Sequence, residues 1–107
     1  MKQYTSSEQT AKLIELGFEK PKGLADAEPS SGNWVREAYS IGELLSFLPK
    51  SIKVNDLVFK LCIHSNIVSW IVEYANIAFG TQARLYKEEL IDALFTEIVL
   101  LKEEGVI

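Results

Sequence analysis

The sequence of 107 residues is poor in the residue types that build covalent cross-links and metal sites. It has one cysteine and one histidine, so an intrachain disulfide and a zinc site of four cysteine or histidine ligands are both excluded. It also lacks a glycine-rich phosphate loop and a G-x-S-x-G nucleophile motif. We therefore expect no metal and no cofactor.

Long apolar runs and an excess of basic charge are missing as well. No stretch approaches the roughly 18 apolar residues of a membrane-spanning helix, and the residues after Met1 are polar rather than apolar as in a signal peptide. The chain has 11 Lys and Arg against 15 Asp and Glu, a net charge of −4. Nucleic-acid binders are usually basic, so we expect no binding to nucleic acid. The missing membrane span and signal peptide predict a cytoplasmic protein that does not bind membranes.

Apolar residues are plentiful, at 48% of the chain, and this is enough to form a hydrophobic core. The length is that of one domain, spanning residues 1–107. Proline, glycine and serine punctuate residues 19–33, which predicts a flexible loop there. We interpret residues 33–39 as a short edge strand.

Two runs rich in β-branched and aromatic residues, 57–64 and 67–74, predict the hairpin around which the chain is organised. A turn at Ser65-Asn66, or a loop over 64–67, gives the same pairing and gathers the apolar side chains on one face. Helices must then cover that face. The predicted cross-strand pairs are Ile63 with Val68, Leu61 with Trp70, Phe59 with Val72 and Leu57 with Tyr74.

Three amphipathic stretches predict those helices. The first covers 6–17 and is capped by Thr5 with Glu8 or by Ser6 with Gln9. The second covers Ile41–Leu48, and Ser40 with Glu43 forms its capping box. The third is long, from about Leu85 to Glu104, and ends at Gly105.

The predicted fold class is therefore α+β. An antiparallel sheet of two to four strands is centred on the hairpin 57–74. A long C-terminal helix and two shorter N-terminal helices pack on this sheet.

Three leucine-rich helical sequences, Thr10–Phe18, Tyr39–Leu45 and Leu100–Gly105, lie at the joints of this fold. Together they resemble small uncharacterised proteins of Bacteroides-type phages and integrated mobile elements. The resemblance covers most of the chain. It implies an α+β fold and a mobile-element origin, and it implies no activity and no catalytic residues.

Cys62 and His64 are the only candidates for catalysis. Two residues apart on a strand, they share its mixed face, and a thiol near an imidazole is a potential nucleophile. The predicted pairing places Ser69 opposite Cys62 and leaves Glu73 too distant to orient the imidazole. The competing interpretation is a half-buried cysteine and a histidine beside a turn.

A surplus of apolar residues outside the predicted core favours an interaction protein over an enzyme. Its partner would be another protein or a second copy of the chain, and an acidic helix face would contribute. The small enzyme that uses Cys62 and His64 is the alternative. The interface candidates are Trp34, Val58, Ile67, Ile71, Val99 and Leu100. The candidates for the acidic face are Glu89, Asp92 and Glu97.

Overall fold

A computed structural model describes residues 2–26 and 35–107, and it confirms the α+β class. Residues 51–54, 57–65, 70–76 and 80–87 form a four-stranded antiparallel sheet in that order, and residues 23–26 and 35–38 form a separate two-stranded sheet. The elements are α1 (Ser7–Glu15), β1 (Gly23–Asp26), β2 (Val35–Ala38), α2 (Ile41–Phe47), β3 (Ser51–Val54), β4 (Leu57–Ser65), β5 (Trp70–Asn76), β6 (Gly80–Lys87) and α3 (Leu90–Glu103).

The first helix begins and ends at local sequence signals. Of the two predicted capping boxes the structure uses Ser6 with Gln9: the Gln9 amide donates to Ser6 Oγ at 3.2 Å, and the Ser6 amide donates to Gln9 Oε1 at 2.9 Å. Gly17 ends the helix with φ of 98°, a value that favours glycine. The Phe18 amide then donates back to the Leu13 carbonyl.

The second helix has the predicted capping box of Ser40 and Glu43. The Glu43 carboxylate does more than cap, because it also accepts the backbone amides of Lys22 and Gly23 at 3.1 and 3.2 Å. A Cβ at Gly23 would lie 2.8 Å from the Ala38 carbonyl oxygen, so only glycine allows this close approach. One carboxylate thus joins β1 to α2.

The predicted pairing of the central hairpin is wrong by four residues, since Ile63 lies opposite Val72 instead of Val68. Asn66 is responsible, because its Oδ1 accepts the amides of Val68 and Ser69 and closes a loop over 66–69. A shift by an even number keeps each side chain on its predicted face. Residues 67–69 of the predicted strand leave the sheet, and Val68 is the only one of them from the apolar face.

The predicted start of the last helix at Leu85 is also wrong, because residues 80–87 form β6 and α3 begins at Leu90. Asn76 closes the β5–β6 hairpin as Asn66 closes the previous one, accepting the amides of Ala78 and Phe79. Backbone pairing with β5 holds residues 80–87 extended in spite of their helical composition.

The helices α2 and α3 contact each other, and α3 also lies on β5 and β6. The molecule measures 51 × 33 × 17 Å, and its smallest dimension fits one helical layer on one sheet. As predicted, the core combines the last helix with the hairpin's apolar face, of which Phe59, Val72 and Tyr74 are buried and most of the others partly buried. The largest fully buried side chains are Tyr39, Tyr74, Phe59, Leu13, Leu44, Ile91, Leu94, Ile98 and Leu101.

The prediction of a flexible loop over 19–33 is wrong for residues 23–26. They form β1, which pairs with β2 so that Leu24 lies opposite Glu37. The strand interpretation of 33–39 holds for Val35–Ala38, although this strand is not an edge of the main sheet. Residues 19–22 of the predicted loop have no helix or strand, and residues 27–33 lie outside the described residues.

Candidate functional site

One face of the four-stranded sheet points away from the helices, and we call it the outer face. Its side chains alternate with those that pack in the hydrophobic core with α3. Val58 is 44% exposed and Tyr86 52% exposed on this face. The outer face comprises Lys53, Val58, Lys60, Cys62, His64, Ile71, Glu73, Ala75, Arg84 and Tyr86.

Glu73 lies at the centre of the outer face and is only 5% exposed. It accepts a hydrogen bond from Arg84 Nε, and its Oε1 lies 3.3 Å from His64 Nε2. Arg84 also donates to the Tyr86 hydroxyl at 3.1 Å. The hydrogen bond from Arg84 lowers the pKa of Glu73 although burial opposes this, so the carboxylate is ionised at neutral pH.

A bulge in β6 places Arg84 beside this carboxylate. The strand register shifts between Val72 and Tyr74, and Ala83 adopts φ of 53° to absorb the extra residue. Glu73 and Arg84 were not predicted as partners, because the end of β6 was assigned to a helix. The turn-forming Asn76 before an alternating segment was the signal for a strand.

The structure does not assemble Cys62 and His64 as a nucleophile and its base. Glu73, not Ser69, lies opposite Cys62, so the predicted neighbour was wrong. His64 Nε2 contacts Glu73, and Cys62 makes no hydrogen bond within the part of the chain that the structure describes. The partly buried thiol therefore lies beside the ion pair of Glu73 with Arg84 and does not take part in it.

We expect Cys62 to react with iodoacetamide at neutral pH no faster than an ordinary, partly covered thiol. The His64→Ala variant should change this rate less than about twofold, because the imidazole contacts Glu73 rather than the sulfur. Mass spectrometry of the alkylated protein measures the rate, and denaturation should accelerate it. Fast native labelling that slows severalfold in His64→Ala would instead support the enzyme alternative.

The predicted acidic face is wrong, because its three members are used within the chain. Glu89 Oε2 accepts the Lys2 amide at 2.9 Å, and Asp92 Oδ1 accepts from Lys2 Nζ at 3.3 Å and from Gln9 Nε2 at 2.8 Å. Glu97 is completely buried. Glu89 and Asp92 attach the N-terminal segment to α3 and stay partly exposed, whereas Glu97 belongs to the core.

The predicted interface residues separate into exposed and covered ones. Ile67 is fully exposed in the β4–β5 loop, and Val58 is exposed on the outer face. The prediction of Ile71 as an interface residue is wrong, because its side chain is only 7% exposed. It lies between His64 and Tyr86 on the neighbouring strands. Two further candidates, Val99 and Leu100, are partly buried, and Trp34 lies outside the described residues.

Two exposed apolar side chains that were not predicted lie at the β5–β6 turn. Ile77 is 109% exposed, and Phe79 is exposed beside it. A shallow depression of about 300 Å³ opens next to this turn on the outer face. Its lining is aliphatic apart from one ammonium group and one amide: Val58, Lys60, Ala75, Asn76, Ile77 and Ala78.

No protein-family model, no curated protein and no solved structure matches this chain. Among residues 2–26 and 35–107, no helix has the length and apolar character needed to cross a bilayer. The same residues contain no group of three histidine, cysteine or acidic side chains positioned to hold a metal ion.

Proposed function

We propose that this chain is a non-catalytic protein-binding module that engages its partner through the outer face. The supporting observation is a sheet face outside the hydrophobic core that is bordered by water-exposed aliphatic side chains, with Ile77 as the extreme. Exposed apolar groups of this kind are a typical feature of interaction sites. An accessory role in a mobile element is the part of this proposal that rests on the sequence resemblance alone.

The edges of the sheet favour binding to the face over addition of a strand. β3 has only four residues, and β6 carries the Ala83 bulge together with Arg84 and Lys87. Short strands, bulges and charges are the devices by which sheets avoid edge pairing. A partner therefore finds a better surface on the outer face than along either edge.

The variant Val58→Ser/Ile77→Ser should lose a partner that the wild-type protein retains. Both side chains are exposed, so the change removes apolar contact area without opening the core. The measurement is affinity capture with the tagged protein from lysate of the source organism, after nuclease treatment and with quantitative mass spectrometry. We expect at least about a tenfold loss of the retained protein.

The matched control is Leu24→Ser/Val106→Ser, which removes two exposed apolar side chains away from the outer face. It should retain the partner at the wild-type level. Equal losses in both double variants would indicate nonspecific adhesion. No stoichiometric partner on the wild-type protein, together with a monomeric sedimentation profile, would contradict the proposal.

A further inference from the structure

The outer face has a charge opposite to that of the whole chain. It carries three cations, Lys53, Lys60 and Arg84, and a single carboxylate, Glu73, whereas the chain has a net charge of −4. Arg84 pairs with Glu73. Lys53 and Lys60 are exposed and form no ion pair within the described residues, so two uncompensated positive charges project from this face.

Both lysines adjoin the exposed aliphatic groups. Lys53 lies directly opposite Val58 across β3 and β4, and Lys60 lines the depression together with Val58 and Ile77. Asn76 fixes one side of this depression, since its Nδ2 donates to the Val58 carbonyl at 2.9 Å. An aliphatic hollow flanked by ammonium groups is complementary to an aliphatic side chain that has a carboxylate next to it.

We propose, on the basis of the function proposed above, that the partner is a protein segment in which Asp or Glu adjoins Leu, Ile or Val. The aliphatic side chain of that segment enters the depression, and its carboxylates pair with Lys53 and Lys60. Such pairing at the rim of an interface selects the partner and accelerates association more than it increases affinity.

Charge complementarity disfavours the other occupants of this face. A second copy bound face to face would bring the same positive side chains together, which is repulsive. Nucleic acid is anionic, but the net charge of −4 repels a phosphate backbone. The depression is also lined by aliphatic side chains, whereas single-stranded nucleic acid binds to aromatic stacking surfaces.

The test is a random peptide library on beads, probed with the fluorescently labelled full chain, followed by sequencing of the retained peptides. We expect enrichment of peptides that place Asp or Glu beside an aliphatic residue. Lys60→Glu should weaken binding of these peptides at least about tenfold, and added salt should weaken wild-type binding. Lys20→Glu is the matched control, because it makes the same charge change at an exposed site outside the sheet.

Each other outcome overturns the inference in a recognisable way. The library could retain aliphatic peptides without acidic residues, with binding weakened by Val58→Ser/Ile77→Ser but not by Lys60→Glu. This result would leave the proposed function intact and contradict the acidic partner. Failure to enrich any peptide would contradict both proposals. Binding to poly-uridine, or assemblies that grow with protein concentration and dissolve in Lys60→Glu, would assign the face to nucleic acid or to a second copy.

Discussion

We expect the wild-type protein to lose much of its stability as the pH rises, and we expect the Glu97→Gln variant not to show this loss. Glu97 is completely buried on α3, and neither of its carboxylate oxygens has a hydrogen-bond partner among the described residues. The Tyr74 hydroxyl is the group that faces it from β5, but this hydroxyl donates to the Pro49 carbonyl at 2.8 Å. The carboxyl group is therefore kept in its neutral form.

The direction of the effect follows from the pKa of Glu97 in the two states. Burial, and then the negative charge of Glu104, raise this pKa from 4.5 to about 8. The folded state therefore keeps a proton that the unfolded chain releases. The stability that this retained proton contributes is fully present below pH 4.5 and is lost as the pH rises to about 8. The loss is on the order of 5 kcal/mol.

Urea unfolding at intervals from pH 5 to about pH 9 measures this loss. Glu97→Gln cannot ionise, so its free energy of unfolding should exceed the wild-type value at alkaline pH and approach it near pH 5. Glu97→Leu should be more stable still, because it also removes two buried oxygens without partners. The control Glu88→Gln changes an exposed acid just before α3 and should follow the wild type.

Equal stability of the wild type and Glu97→Gln across this pH range would contradict the expected ionisation. Extending the titration below pH 4.5 reports on Glu73, whose pKa is lowered from 4.5 chiefly by Arg84. The stability that this ion pair contributes is present above the ordinary pKa of glutamate and is lost as the pH falls through the lowered value. The two buried glutamates thus limit stability from opposite sides.

Substituting Ile71 by aspartate should unfold the protein, whereas the same substitution at Ile77 should leave it folded. Ile71 is 7% exposed and Ile77 is 109% exposed, although both lie in or beside β5. A carboxylate at Ile71 would be buried close to the ionised Glu73 with no partner of its own. We expect a loss on the order of 4 kcal/mol for Ile71→Asp and less than about 0.5 kcal/mol for Ile77→Asp.

Thermal unfolding followed by circular dichroism distinguishes the two variants, and each is the control for the other. If Ile71→Asp has wild-type stability but no longer binds the partner, Ile71 is an interface residue after all. A destabilised Ile77→Asp protein would show that the β5–β6 turn packs against other residues. Either result would change the surface on which the proposed function depends.

The candidate site was only partly accessible from the sequence. Val58 and Ile67 were predicted as exposed apolar residues, and their exposure is a consequence of alternation along β4 and of the loop at Asn66. The ion pair of Glu73 with Arg84 was not predicted, because it joins two strands through a bulge at Ala83. No local pattern indicates which residue of a later strand will lie opposite Glu73.

The sequence by itself determined what depends on neighbours within a few residues. The capping box at Ser40, the end of α1 at Gly17 and the apolar face of the hairpin are of this kind, since short-range hydrogen bonds and alternation fix them.

Only the tertiary structure decided the strand register, the existence of β6 and the burial of Glu97. These depend on which distant segments pair and on which side of a helix meets the core, and packing there overrides local preference.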